Sequence, residues 1–538
     1  MKKRDLVRLF ALSMVVRMAS AALVSRPGYM DTAYYAAGAI RLAQGGGLSE
    51  AFIWNYLNDP MGIPHPGFLY WMPLPSLLGA PLARLFPTSF FALQVPFLVL
   101  SAGLPLISYS LASQATGRRG LAWTAGLLTI FSGFFFPYWT LPETFAPFAL
   151  FGSLALWLAG TPDSENRKRA MKLGRWLLVG LLVGLAHLTR ADGILLLPVV
   201  LLGPILLNDK KGIWGGGEDR SPSGTPEKRY GLTKAGELLL IVVAGYLLVM
   251  GPWFARNMMT MGTPLSPAGT KTIWLTDYDD LFCYDCDLSL SSYLAWGWDN
   301  ILRSKLSALW INAQRFMAEN CLIFLLPFAG IGLYRLRRRL PFLLSGVYLF
   351  GVYLAHSLVF TFPGWRGGFF HASSAALPLV YAAGTDGLDA AVRWVARRRR
   401  GWRYPQARTV FTAAAVAAAV LLSAYIARQR VPAWERADLL YEDVDQWLAD
   451  RDAPGAAVMV GNPPAFWHHT QRPAAVLPNG GVETLLQVAD RYRMGYVLIE
   501  KDHPVKLADL YSGGMDHPRL RAVKTWSEGR GILYAVQR

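Results

Sequence analysis

Apolar residues along this chain fall mainly into blocks of about twenty, the length of a helix that crosses a bilayer. Eleven blocks are predicted to be membrane-spanning helices, at 9–24, 89–112, 120–137, 142–160, 175–190, 192–207, 236–254, 320–335, 341–360, 373–391 and 408–427. The first block follows a basic N-terminal segment, but it has no clear small-residue cleavage site and the chain stays hydrophobic after it. We therefore expect a retained helix and not a signal peptide.

The charges between these blocks predict an orientation. Lys and Arg concentrate in the loops 114–120, 162–175, 208–235, 335–340 and 393–408, which share one side of an eleven-helix arrangement. Because basic loops stay in the cytoplasm, we predict a cytoplasmic N-terminus and a position in the inner (plasma) membrane. The first outer loop, 26–88, and the large outer loop, 258–319, are then extracytoplasmic.

One further apolar segment, Gly67–Phe86, is long enough to span but contains Pro73, Pro75 and Pro81. Prolines in a helix interior break it. A twelfth span here would also move every later basic loop to the outside. We therefore predict an interfacial or re-entrant segment.

The pattern changes after residue 428. Short strand-like runs alternate with amphipathic helices over 429–538, which is typical of a small α/β domain. The predicted fold class is thus an α-helical polytopic membrane protein, residues 1–428, followed by a soluble extracytoplasmic α/β domain, residues 429–538. No phosphate-binding glycine loop or nucleophile elbow opens a helix of that domain, so we assign it no chemistry.

The composition supports this assignment. Hydrophobic residues make up 53% of the 538 residues and charged residues only 17%, which excludes an ordinary cytosolic enzyme and a disordered protein. Three cysteines exclude a disulfide scaffold. The net charge of +17 is explained by the cytoplasmic loops, so no nucleic-acid partner is expected.

Ionisable residues recur at the outer ends of the predicted spans, where burial makes a charge costly. They are Asp31, Glu143, Arg190, Asp192, Arg256, Arg366 and His371. Cations at that depth could hold a lipid-linked phosphate, while acids act on a hydroxyl. Each residue alone also has an ordinary explanation as an anchor or turn former, and Asp31 could be the N-cap of the following helix.

Arg17 lies within the first span, too centrally for its charge to reach water easily. It faces a polar cavity or an anionic partner, or else it forms a structural ion pair, for which Glu143 is the candidate.

The large outer loop contains five acids within 277–287 and the pair Cys283 and Cys286. The acids could bind a divalent cation, but we favour a solvated acidic loop. Zinc would need two further ligands near the cysteines. A disulfide is compatible with an extracellular position, and we expect no catalytic role.

Five motifs, in this order, resemble the GT-C superfamily of polytopic glycosyltransferases, in particular bacterial relatives of protein O-mannosyltransferases and aminoarabinose transferases (glycosyltransferase family 39-like). They are GYMDTAYYAAGAIRL at 28–42, HPGFLYW at 65–71, LPET at 141–144, LTRADGILLL at 188–197 and PWFARN at 252–257. Two features depart from the family pattern. The first loop has a single Asp where relatives have an acidic pair, and Glu143 replaces a common Asp.

The resemblance implies an inverting glycosyltransferase with Asp31 as the general base. The donor would be a polyprenyl-phosphate-linked sugar, a hexose or a pentose, and the acceptor a hydroxyl of a glycan, lipid or protein outside the cell. Substrate-binding candidates are Arg17, His65, Glu143, Arg190, Asp192, Arg256, Arg366 and His371. No cofactor and no metal site is required, although a divalent cation would be compatible.

The alternative function is a membrane transporter or lipid flippase, because many spans with intramembrane charges fit that class too. Transporters of this kind show repeated halves, and we find no such repeat in the sequence. A non-catalytic scaffold is a third interpretation, against which the acids and arginines at the outer face argue.

Overall fold

The computed structural model describes residues 3–162, 168–207, 232–451, 453, 455–526 and 530–537. The predicted cytoplasmic loops at 162–175 and 208–235 therefore lie partly outside the described residues. The larger helices are α1 (Lys3–Ala22), α2 (Met30–Ala43), α3 (Leu74–Leu85), α4 (Phe90–Thr116), α5 (Arg119–Ile130), α6 (Phe145–Gly160), α7 (Arg169–Thr189), α8 (Leu196–Leu207), α9 (Leu232–Met261), α10 (Pro267–Lys271), α11 (Leu290–Ala295), α12 (Trp298–Arg315), α13 (Leu326–Leu336) and α14 (Leu340–Leu354). They continue with α15 (Thr361–Pro363), α16 (Phe369–Ser373), α17 (Leu377–Arg398), α18 (Tyr404–Ala437), α19 (Leu439–Ala449), α20 (Pro463–Thr470), α21 (Val482–Tyr492) and α22 (Ala508–Tyr511).

A helix lies at each of the eleven predicted positions, but the count of eleven spans is not confirmed. Within the described residues, five helical stretches are long and apolar enough to cross a membrane: Phe90–Thr116, Arg169–Thr189, Ala235–Met261, Leu340–Val359 and Tyr404–Ala449. Breaks shorten several of the others. The block predicted at 120–137, for example, divides into α5 and a short 3-10 turn, Gly133–Tyr138.

Glycines allow neighbouring helices of the bundle to pack closely. A Cβ atom at Gly180 of α7 would clash with the carbonyl oxygen of Val242 in α9, and one at Gly245 would clash with the carbonyl of Leu177. The two backbones can approach this closely only because these positions carry no side chain.

The predicted first outer loop, 26–88, packs on one end of the helical bundle, where α3 contacts α4 and α7. The predicted interfacial segment contains α3, whose twelve residues are fewer than the roughly twenty needed to span. It packs on α2, where Ser76 donates a hydrogen bond of 2.9 Å to the carbonyl of Tyr35. Between α2 and α3, strand β1 (Ser49–Glu50) pairs antiparallel with β3 (His65–Pro66).

The C-terminal residues form a sheet with helices, as the strand and helix pattern predicted. Its strands are β2 (Phe52–Ile53), β4 (Val458–Val460), β5 (Ala474–Val476), β6 (Tyr496–Glu500), β7 (Leu520–Trp526) and β8 (Gly531–Val536), in the order β2-β5-β4-β6-β8-β7. Strands β2, β5, β4 and β6 are parallel, whereas β8 and β7 are antiparallel.

One edge strand of that sheet comes from the first outer loop and not from the C-terminal residues. Ile53 of β2 pairs with Ala475 of β5, and its fully buried side chain belongs to the same core as Met459 and Val497. The division at residue 428 remains a prediction, and the sheet joins chain from both sides of it.

The large outer loop also packs on this sheet region. The backbone N–H of Asn479 donates to the carbonyl of Phe282 at 2.9 Å, and Arg491 donates to the hydroxyl of Tyr284 at 3.0 Å. Cys283 and Cys286 form a disulfide beside these contacts. Cys321 is buried and has a free thiol.

Candidate functional site

Asp31 lies in the first turn of α2, which is predicted to be on the outer side of the membrane. The N-cap of α2 is Tyr29, in extended conformation and with no side-chain cap bond, so the interpretation of Asp31 as the N-cap is wrong. Gly28 brings the chain to this position with a positive φ of 76°, and a Cβ there would clash with Trp434. Asp31 is therefore available for a role other than capping.

The environment of Asp31 disfavours its charge. The side chain is 30% exposed. Burial raises the pKa of Asp31 to about 6, against the opposing effect of the positive charge on Arg190. A carboxyl group with this pKa is largely ionised at neutral pH but is a better proton acceptor than an ordinary aspartate.

Glu143 lies beside Asp31, in the turn before α6, and it is completely buried. The Tyr29 hydroxyl donates to its Oε1 at 2.6 Å, while its Oε2 has no hydrogen-bond partner among the described residues. Burial and the nearby carboxyl of Asp31 both disfavour a negative charge on Glu143. One proton is therefore favoured on this pair of acids.

His371, in α16, completes the cluster. Its Nε2 lies 3.7 Å from Asp31 Oδ2 and its Nδ1 lies 3.9 Å from Glu143 Oε2. Thr144 Oγ1 is 2.9 Å from Nδ1, and the ring stacks on Phe145 with centroids 3.9 Å apart. Burial, together with the charge of Arg190, holds the pKa of His371 well below its usual value, so the ring is neutral.

Asp31, Glu143 and His371 could hold a divalent cation. One ligand atom from each lies within 4.8 Å of the others. Two carboxylates and a neutral imidazole suit zinc or manganese, and the unpartnered Oε2 of Glu143 is a further indication that the donors fit. The sequence prediction of no required metal remains a prediction.

A second charged group lies next to this cluster. Arg190 binds Asp192 with two hydrogen bonds, Nε to Oδ1 at 3.0 Å and Nη2 to Oδ2 at 2.8 Å. His356 Nε2 lies 3.1 Å from the same Oδ2. Both carboxylate oxygens of Asp192 are therefore engaged by neighbouring side chains.

Two of the predicted residues gather around a different acid, Glu50, and not around Asp31. His65 Nε2 lies 3.0 Å from the carbonyl oxygen of Phe52 and 3.7 Å from Glu50 Oε2. Arg256 donates to the carbonyl of Gly67 at 2.8 Å and lies over the ring of Trp253. These contacts fasten the first outer loop to α9.

The remaining two candidates are also outside the central cluster. Arg366 is exposed, and its guanidinium lies 5.1 Å from the ring centroid of Tyr278 in the large outer loop. Arg17 is buried, donates to the carbonyl of Thr129 at 3.3 Å and lies 5.8 Å from the ring centroid of Trp139. The ion pair considered between Arg17 and Glu143 is not among the ion pairs of the described residues.

Sequence reasoning missed His356, Tyr29 and Thr144. The sequence does carry a signal for His356, because it is a lone histidine in the apolar stretch YLAHSLVF. It lies in a π-helical turn, Ala355–Val359, a distortion often found at functional sites. Tyr29 and Thr144 lie inside the motifs at 28–42 and 141–144, but their partners Glu143 and His371 are more than one hundred positions away, so the motifs alone do not indicate these contacts.

Comparison with known proteins gives a fold but no sequence relative. No protein-family model matches the chain, and no curated protein matches it either. Among solved structures, ArnT from Cupriavidus metallidurans bound to undecaprenyl phosphate is similar with a TM-score of 0.58 and 13% identity, over 99% of this chain and 98% of that one.

Two larger glycosyltransferases are also similar. The oligosaccharyltransferase AglB from Archaeoglobus fulgidus, in complex with an inhibitory peptide and a dolichol-phosphate, has a TM-score of 0.53 and 12% identity over 95% of this chain and 71% of that one. The mycobacterial arabinofuranosyltransferase AftD has a TM-score of 0.50 and 15% identity over 100% of this chain and 40% of that one. The chain thus has the GT-C fold that the sequence resemblance predicted.

Proposed function

We propose that this protein is an integral membrane glycosyltransferase that moves a sugar from a polyprenyl-phosphate donor to an acceptor hydroxyl outside the cell. The observation that carries the proposal is the cluster of Asp31, Glu143 and His371 beside the Arg190–Asp192 pair, in a chain with the GT-C fold. The similar structures bound to undecaprenyl phosphate and to a dolichol-phosphate support a lipid phosphate as the carrier.

Asp31 acts as the general base. It accepts the proton of the acceptor hydroxyl while the oxygen attacks the anomeric carbon, so that the configuration at that carbon inverts. The partial exposure of Asp31 leaves room for an acceptor, and its raised pKa matches the requirement for a base at neutral pH.

Arg190 stabilises the phosphate that leaves. Its guanidinium is held in place by two hydrogen bonds to Asp192, so it needs no rearrangement when negative charge develops. Arg366 is exposed at the edge of the site, where it offers a second cation for the lipid-linked phosphate.

Glu143 and His371 hold the acceptor side of the site. Glu143 accepts from Tyr29 through Oε1, and the neutral ring of His371 lies with Nε2 3.7 Å from Asp31 Oδ2, so both residues shape the site around the base. The same three residues would hold a divalent cation if one is bound, and the cation would then supply additional positive charge near the acceptor oxygen. In this proposal the protein lies in the plasma membrane, with its N-terminus in the cytoplasm.

The experiment is a transfer assay with the purified full-length protein. A panel of radiolabelled polyprenyl-phosphate sugars, hexoses and pentoses, is incubated with membrane extract, and label is followed into lipid, glycan and protein fractions. We expect one donor to transfer its label into one of these fractions. NMR of the released product should show that the anomeric configuration is inverted relative to the donor. Transport of the unhydrolysed donor into sealed vesicles without any transfer would contradict the proposal and support a flippase. Repeating the assay with EDTA tests whether a cation is needed.

A further inference from the structure

A cavity outside the catalytic cluster separates the first outer loop from the C-terminal region. Its volume is about 460 Å³, within the range of about 300–1,000 Å³ typical of small-molecule sites. One wall is built from Arg26, Gln44 and the turn Phe86–Phe90, and the facing wall from Glu442, His468 and Gln471. Residue Ile40, which also lines it, is nine positions after Asp31, or roughly 14 Å along α2.

The two walls are joined by polar pairs. Arg26 donates through Nη2 to Glu442 Oε2 at 3.2 Å, and its Nη1 also binds this carboxylate. Gln44 Nε2 donates to Gln471 Oε1 at 3.1 Å. These bonds set the width of the cavity.

The charges that line the cavity cancel. The guanidinium of Arg26 is already paired with Glu442. Burial, then the neighbouring His469 and Arg26, lower the pKa of His468 to about 3, so its ring is neutral. Among the residues that line the cavity, Arg26 and Glu442 are the one guanidinium and the one carboxylate, so the lining carries no net charge and suits an uncharged ligand.

The lining does offer many hydrogen bonds to an uncharged ligand. Guanidinium, carboxylate, carboxamide and imidazole groups present donors and acceptors in planar pairs. His468 lines the cavity beside Phe90, whose ring meets its imidazole edge to face with centroids 6.2 Å apart. The rings of Phe86 and Phe90 add apolar faces beside these polar groups. Adjacent hydroxyls on a ring with one apolar face are the chemistry of a sugar.

We propose that this cavity binds a neutral saccharide, the glycan portion of the acceptor. Its description as the acceptor rests on the proposed transferase function, whereas saccharide binding itself does not. The cavity lies along the same helix as Asp31, so an oligosaccharide seated there can place a later residue at the catalytic cluster. Asp438 links the two regions, because it accepts from the N–H of Gly28 at 3.3 Å and lies 3.1 Å from His469 Nε2.

The test uses the detergent-purified full-length protein, labelled with a fluorophore, on an array of neutral and uronic-acid-containing oligosaccharides. The Kd for the strongest neutral glycan is then measured by calorimetry. Thr88→Trp fills the cavity from an exposed position, with Thr88→Ser as the matched control. Glu442→Gln removes one charge without changing shape.

We expect neutral glycans to bind and Thr88→Ser to bind equally well. Thr88→Trp and Glu442→Gln should each raise Kd by about tenfold or more, the loss expected for a blocked site or a lost charged hydrogen bond. Because the Kd measures saccharide binding and not transfer, these expectations hold whether or not the protein transfers sugar.

Three results would overturn the proposal. They are no binding of neutral glycans, binding confined to the uronic-acid glycans, and binding that Thr88→Trp leaves unchanged. The saccharide in the cavity could instead be the sugar of the lipid-linked donor, and binding of a radiolabelled polyprenyl-phosphate sugar to the same variants tests this. If its binding is lost in Thr88→Trp but that of free glycans is not, the cavity belongs to the donor and the acceptor assignment is wrong.

Discussion

Replacing Arg190 tests the electrostatics of the site in two ways at once. Its charge lowers the pKa of Asp31, which burial raises to about 6, and in the proposed mechanism it also stabilises the departing phosphate. Removing this charge with Arg190→Met should therefore raise the pKa of Asp31. Because the base must be ionised, kcat/KM falls as the pH drops through that pKa, so the acid limb should move to higher pH.

The rate should fall as well. Loss of one preorganised group that stabilises transition-state charge costs about 10²–10³ in kcat. Stability is also affected, because Arg190 and Asp192 are only 16% and 10% exposed. Leaving one member of such a buried pair alone costs about 3–5 kcal/mol. The double variant Arg190→Met/Asp192→Asn removes the uncompensated carboxylate and should recover much of that loss.

The assay is the pH dependence of sugar transfer, measured between pH 5 and 8 for the wild type, the two variants and Arg190→Lys. The lysine retains the charge but not the two-bond geometry, so its acid limb should stay close to that of the wild type while its rate falls. Thermal unfolding of each protein controls for folding. An acid limb in a folded Arg190→Met variant that does not move, or moves to lower pH, would refute the electrostatic argument.

Three further predictions concern the architecture. Residues 430–538 expressed alone lack β2, so they should be less stable than a fusion in which a flexible linker supplies residues 49–56. Thermal unfolding followed by circular dichroism measures the difference, and equal stability would mean that β2 does not stabilise the sheet. Arg338→Cys should be labelled only from the cytoplasmic side by an impermeant maleimide, and labelling from outside would end the proposed orientation. Changing both Cys283 and Cys286 to Ser should leave the transfer rate within a few-fold of the wild type, because the disulfide lies where the large outer loop contacts the sheet. A loss of about a hundredfold, or 2.7 kcal/mol, would show that the disulfide has a role in the reaction.

Local patterns predicted the secondary structure well. Strands form at 496–500, 520–526 and 531–536, within the stretch 429–538 where alternating strands and helices were predicted, because their alternation and bounding turns are contained in the segments themselves. Strand β2 was not predicted. Two residues in an outer loop carry no pattern, and only the partner β5 makes them a strand.

The cluster of Asp31, Glu143 and His371 was predicted in part for a similar reason. The prediction grouped Asp31, Glu143 and His371 because all three were expected at the same depth in the membrane, although more than two hundred positions separate Glu143 from His371. Depth gives no lateral position, however. Arg256 and His65 therefore lie beside Glu50, and the packing of helices decides this rather than any motif.

If Asp31 is the base for sugar transfer, the transfer rate of Asp31→Asn measures its contribution directly. Asn retains the size of the side chain, and Asp31 is not the N-cap of α2, so the fold should be unchanged. The matched control is Asp285→Asn, an exposed acid of the large outer loop whose positive φ an asparagine adopts readily. We expect the control to transfer sugar at the native rate and Asp31→Asn to transfer it about 10²–10⁴ times more slowly, the usual contribution of a general base. A well-folded Asp31→Asn protein that transfers sugar at the native rate would contradict this assignment and move the base to Glu143 or Asp192.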